Sequence, residues 1–92
     1  MYMSKEEALN DFQELLATME QMLSYADEEI IYANEELEAL LGELEAQYNE
    51  IYDAILQLLA SRACYLNIPM RNYVALTISK ACQAMREVEC YF

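Results

Sequence analysis

An all-α fold, either a small helical bundle or a hairpin of long antiparallel helices with a further C-terminal helix, follows from three observations. Apolar residues recur at alternating steps of three and four along most of the chain, no stretch alternates with period two, and Gly42 and Pro69 are the only glycine and proline. With 92 residues the chain forms a single domain, residues 1–92. A core of that size is adequate but not generous, so a dimer is an open possibility. A net charge of -12 by itself favours disorder, but 57% hydrophobic residues and the lack of Pro/Ser/Gly-rich tracts favour a folded chain.

The first helix begins at Ser4-Lys5-Glu6-Glu7, a capping-box pattern, with Met3 placed to staple on Ala8. From there the apolar stripe runs Leu9, Phe12, Leu16, Met19, Leu23, Ala26, Ile30, Ala33, Leu37, Leu40, Leu44, a polar Gln47, then Ile51, Ala54 and Leu58. Leu15 and Met22 widen it on one side early, and Leu41, Tyr48 and Ile55 on the other side later. That drift, ~20° per heptad, is the behaviour of straight packed helices rather than a tight coiled coil.

Residues 4–66 are expected to form an acidic helical hairpin or one long helix. A continuous helix over that span would be ~95 Å long, too long for a compact domain of this size. Ser24-Tyr25-Ala26-Asp27, Asn34 as an N-cap and Gly42 as a C-cap are the candidate breaks. The alternative is an unbroken helix that buries its stripe against a second copy. In Tyr65-Leu66-Asn67-Ile68-Pro69 the next boundary is clear: Asn67 suits a left-handed cap, Ile68 is pushed out of the helical region by the following proline, and Pro69 suits a first turn. A packing helix over residues 69–90 then offers Tyr73, Val74, Ile78, Ala81, Cys82, Met85 and Val88 to the core.

Several kinds of chemistry lack their residues. There is no His, no Cys-x-x-Cys pair and no glycine-rich loop, so neither an enzyme, a metal centre nor a cofactor site is expected. Carboxylates can perform acid–base work only where a desolvated cleft separates their pKa values, and here they fall on the wet faces of helices. Cys64, Cys82 and Cys90, odd in number and irregularly spaced, read as reduced packing residues, with an intermolecular bridge through Cys90 as the alternative. No apolar run is long enough to span a bilayer, and MYMSKEEALNDF lacks the order of a secretory signal, so a soluble cytoplasmic chain with no membrane partner is expected.

Charge is divided along the chain. Residues 1–58 carry 15 acidic groups against Lys5, net -14, whereas residues 59–92 carry Arg62, Arg71, Lys80 and Arg86 against Glu87 and Glu89, net +2. The stretch DEEIIYANEELEALLGELE contains no cation at all. A helix that needed only solubility would mix Glu with Lys at i,i+4, whereas like charges in rows cost a few tenths of a kcal/mol each. Glu29, Glu36, Glu43 and Glu50 form a row beside the stripe, with Asp27, Glu28, Glu35, Glu38 and Glu45 around it. Tyr25 and Tyr32, two turns apart, and Tyr48 and Tyr52, beside Glu50 and Asp53, add the side chain that stacks well on Arg.

A candidate partner-binding surface is therefore Tyr25, Asp27, Glu28, Glu29, Tyr32, Glu35, Glu36, Glu43, Glu50 and Asp53, and its expected partner is a basic intracellular protein of the nucleic-acid-binding type. An acidic rod that fills such a groove excludes its nucleic acid by mimicry. In size, charge and helicity the chain looks like the small acidic inhibitors that phages and mobile elements direct at host nucleases and CRISPR effectors. Two other readings stand beside this one: a helical adaptor, chaperone or self-associating scaffold that uses its apolar stripe, and an antitoxin-like neutraliser of a basic protein. A fourth, in which residues 69–90 read DNA after a helix-turn-helix-like turn with Ala63 at its small position, is opposed by phosphate repulsion from the acidic body, so direct nucleic-acid binding is not expected.

Overall fold

A computed structural model gives the protein's fold and describes residues 3–24 and 34–91. Three helices account for most of it: α1 (Lys5–Ser24), α2 (Glu35–Ala60) and α3 (Ile68–Glu89). They run up, down and up in a rod of 47 × 17 × 15 Å. The C-terminal end of α1 (Glu20, Leu23) lies beside the first half of α2 (Glu38, Leu41), and the last turns of α3 (Ala84, Glu87) lie beside α2 at Glu43 and Gln47. This antiparallel arrangement establishes the bundle and rules out a single helix from 4 to 66.

Periodicity explains which residues are inside. In α2, Leu37, Leu44, Ile51 and Leu58 recur every seven residues and are essentially inaccessible. Leu41 and Tyr48 lie on the side of α1 and Gln47 on the side of α3, while Leu40, Ala54 and Ile55 belong to the same apolar cluster. Phe12 and Met19 from α1, and Val74, Ala81 and Val88 from α3, close on this stripe. Each large apolar side chain fully buried in this way stabilises the fold by about 1.5–3 kcal/mol. Thr77 joins the core because its hydroxyl donates to the Tyr73 carbonyl at 2.8 Å, which satisfies its polar group within the helix.

One of the expected breaks is seen directly: Asn34 is extended (φ -141°) with its side chain accepting from the Leu37 amide at 3.1 Å. Of the expected break at Ser24-Tyr25-Ala26-Asp27, Ser24 is the last described residue of α1 and the other three lie outside the described residues. Gly42 does not end a helix; it lies well inside α2 with no unusual φ. Ala26, Ile30 and Ala33 of the expected stripe lie outside the described residues.

The lower end of the bundle differs from expectation. α2 ends at Ala60, and residues 61–67 run extended instead of continuing the helix. This segment meets the N-terminus in a short antiparallel bridge, with the Lys5 amide donating to the Cys64 carbonyl at 2.9 Å and the Leu66 amide to the Met3 carbonyl at 2.8 Å. Backbone pairing at this point holds Met3 exposed, so it does not staple on Ala8. The Ser4 half of the capping box does form, its hydroxyl accepting from the Glu7 amide at 3.1 Å. Asn67 is not left-handed: at φ -73°, ψ 171° it is the N-cap of α3, accepting from the Met70 amide, and Ile68 already lies in the first turn with Pro69. Because Ala63 sits in the extended segment and not on a helix, the turn of a DNA-reading helix pair is absent here.

Lys5, the one cation before residue 59, is used internally. Its Nζ donates to the Ser61 carbonyl at 2.9 Å, at the C-terminal cap of α2, where the helix dipole is negative and no basic residue lies in the last turn. The cysteines depart from the packing role: Cys64 and Cys90 are exposed and only Cys82 is half-buried. Cys64 is drawn outward by the extended segment, and Cys90 lies past the last core residue, Val88.

Two outcomes in urea unfolding test these contacts. Lys5→Met should lose about 1 kcal/mol, since it removes a charge-assisted bond at the dipole's negative end. Gln47→Met should gain about 1 kcal/mol, because Gln47 Oε1 is buried with no hydrogen-bond partner and methionine fills a similar volume.

Candidate functional site

With the stripes of α1 and α2 turned inward, helical geometry sends their acidic residues out. Glu6, Glu7, Glu14 and Glu20 are exposed on α1, as are Glu35, Glu36, Glu38, Glu43, Glu45 and Asp53 on α2, while Glu50 is half-buried. Tyr25, Asp27, Glu28, Glu29 and Tyr32 lie outside the described residues. The α2 carboxylates do not make one ridge. They divide between two flanks of the helix, with Glu35 and Asp53 pointing away from the bundle between them.

One flank faces α3. Glu36 Oε2 accepts from the Tyr91 hydroxyl at 2.7 Å, and this hydrogen bond, with slight desolvation and the carboxylate's charge, raises the Tyr91 phenol above its usual value. Glu43 lines a hollow together with Gln47, Lys80, Gln83 and Glu87. These two members of the expected ridge therefore sit next to side chains of the same chain: Glu36 beside Tyr91, just past the end of α3, and Glu43 beside α3 residues that include Lys80.

Among the described residues the other flank is open. Between α1 and α2 runs a groove of about 750 Å³ whose lining includes Glu20, Glu38 and Glu45 at the rim and Leu23, Leu41 and Tyr48 at the apolar floor. None of its described lining residues is a Lys or Arg. Glu38 and Glu45, seven residues apart, are ~10.5 Å from each other along the axis. Gly42 lies between them, and a Cβ added there meets nothing within 4 Å. Glycine inside a helix costs roughly 0.5–1 kcal/mol relative to alanine, so here the cost is carried without any packing constraint to require it.

The groove belongs to a longer feature. Glu38, Gly42, Glu45 and Asn49 continue into Tyr52, Leu56 and Leu59 at strict steps of four and three, and every one of these positions is exposed. Tyr52, Leu56 and Leu59 are 52%, 50% and 60% accessible, high for large apolar side chains on a helix. α2 thus carries two seams at helical spacing: one buried, the other acidic in its first half and apolar in its second. The candidate residues named from sequence did not include Glu20, Glu38, Gly42, Glu45, Leu56 or Leu59 as a unit. The signal was present as a second three–four series on α2, hidden because the stronger series beside it satisfies the helical template first.

Among the described residues, no group of three or more His, Cys, Asp or Glu is arranged to hold a metal ion, and no helix is long and apolar enough to cross a membrane. The chain matches no family model, no curated protein and no solved structure.

Gly42→Ala should raise the urea midpoint by the equivalent of about 0.5–1 kcal/mol, because the helix gains propensity and the new methyl enters open space. No gain, or a loss, would mean that the α2 backbone at Gly42 is constrained by something other than the groove.

Proposed function

We propose that this chain is a non-enzymatic acidic binding protein that covers a basic surface, of the kind built to hold nucleic acid, on a partner protein. The observation that supports it is the α1/α2 groove, where Glu20, Glu38 and Glu45 surround Leu23, Leu41 and Tyr48 with no Lys or Arg among the described lining residues. Carboxylates over an apolar floor match what Lys and Arg side chains present: a charged tip on a hydrocarbon stem, with Tyr48 available for a guanidinium to stack on. A net charge of -12 adds long-range attraction that speeds encounter with a basic protein and repels nucleic acid itself. Once seated, the acidic rod occupies the space that phosphates would take, which makes the chain an inhibitor by mimicry. Neutralisation of a basic toxin is the same physics with a different partner.

A second reading is favoured by a separate observation. Exposed Tyr52, Leu56 and Leu59 suit a helical adaptor or a self-associating scaffold held by apolar contact. The two readings differ in salt response, since screening weakens the first and spares the second.

The chain immobilised on a column and eluted with a salt gradient separates them. The expected partner is basic, elutes at moderate salt, is displaced by added duplex DNA or RNA, and is lost when Glu38→Lys and Glu45→Lys are combined, with the helical circular-dichroism signal intact. Equal capture by that double variant would remove the acidic-face reading. Retention at high salt, lost only on Leu56→Asp, would instead favour the apolar one.

A further inference from the structure

We infer that the exposed seam of α2 from Glu38 to Leu59 is the seat of one amphipathic helix of the partner, basic where it meets Glu20, Glu38 and Glu45 and apolar where it meets Tyr52, Leu56 and Leu59. The inference rests on the acidic-face reading and names the element that this face holds.

Three features carry it. The first is spacing: the exposed positions repeat at the same three–four steps as the buried seam, and that interval is the one at which a helix accepts another helix along its length. A partner helix laid between α1 and α2 would complete a four-helix bundle, with a contact about 32 Å long for the 21 steps from Glu38 to Leu59. The second feature is the change of character halfway. Acidic residues with Gly42 and Asn49 give way to Tyr52, Leu56 and Leu59, which asks of the occupant cationic residues at one end and apolar residues at the other. The third is Gly42, which has open space where its Cβ would stand and lets another backbone approach the groove floor between two carboxylates.

A second copy of the chain fits this seam poorly. Paired in parallel, Glu38 and Glu45 would face their own counterparts, like charge on like. Paired antiparallel along the same seam, Glu38 would be buried against Leu59 and Glu45 against Tyr52, with no cation to meet them. Charge complementarity therefore selects a basic amphipathic helix over self-pairing.

The probes are two synthetic helical peptides of about 21 residues and identical composition, a length set by the rise of the helix. One has Arg at three–four spacing in one half and Leu at the same spacing in the other; the second has these residues in an order that breaks the spacing. Fluorescence anisotropy with the intact chain at near-physiological salt should show the ordered peptide binding at least tenfold more tightly. Gly42→Trp, which fills the groove without altering any charge, should weaken that binding at least tenfold with circular dichroism unchanged, whereas Gly42→Ala should keep it within about threefold. Leu56→Asp gives an independent variant on an exposed position and should also weaken it tenfold.

Equal affinity for the two peptides overturns the helical seat. If that equal binding still falls with salt and with Glu38→Lys/Glu45→Lys, the acidic-face reading stands while the seat is lost. Unchanged binding by Gly42→Trp also overturns it. So does a concentration-dependent dimer in light scattering that Gly42→Trp disperses, since the seam would then belong to a second copy.

Discussion

The bundle depends on α2 burying one stripe against two helices at once. Leu37, Leu44, Ile51 and Leu58 form its centre line, and α1 and α3 each close one side of it. Neither hairpin alone would bury that line, and a chain of net charge -12 pays a self-repulsion that only this apolar contact offsets. Helix positions that do not serve the stripe are left free to be acidic, and this is how the chain accommodates so many carboxylates without unfolding.

Contacts at the two ends set the register of the three helices. Below, the bridge between Met3–Lys5 and Cys64–Leu66, together with the Lys5 ammonium on the Ser61 carbonyl, ties the start of α1 to the end of α2. Above, Asn34 starts α2 and the Tyr91 hydroxyl reaches Glu36 across from the end of α3. The sole cation of the acidic half is thereby fixed on a backbone carbonyl at the foot of the rod, and none of the described residues lining the α1/α2 groove near its upper end is a Lys or Arg. A single charge placed at a helix terminus thus preserves the field of the face above it.

Electrostatics and shape contribute differently to the proposed recognition. Negative potential extends over several ångströms and is tolerant of geometry, so it favours many basic proteins and mainly raises the rate of encounter. Selection among them requires a feature that is read at contact distance. On α2 the exposed seam, with its glycine notch and its apolar lower half, is such a feature, because it rewards only a helix whose cations and apolar residues come in the matching order.

Some of this was legible in residues alone. The helical period, the capping residues Ser4 and Asn34, the N-terminal proline of α3 and the division of charge are local properties. They depend on backbone geometry and on spacing within one helix, and sequence reports both directly. Gly42 and Asn67 were misread from the same local rules: glycine is common after helices and asparagine tolerates left-handed backbone, yet here one is interior and the other begins a helix. Which flank of α2 stays open was decided only by the packed structure. Glu36 and Glu38 look alike as sequence, but α3 settles against the side of Glu36 and Glu43, and α1 leaves a groove on the side of Glu38 and Glu45. The outward exposure of Cys64 likewise follows from a backbone pairing between segments some sixty residues apart, which no pattern within one helix encodes. Period and charge are set by the order of residues along a helix; the neighbour that each face receives is set by how three helices share one core.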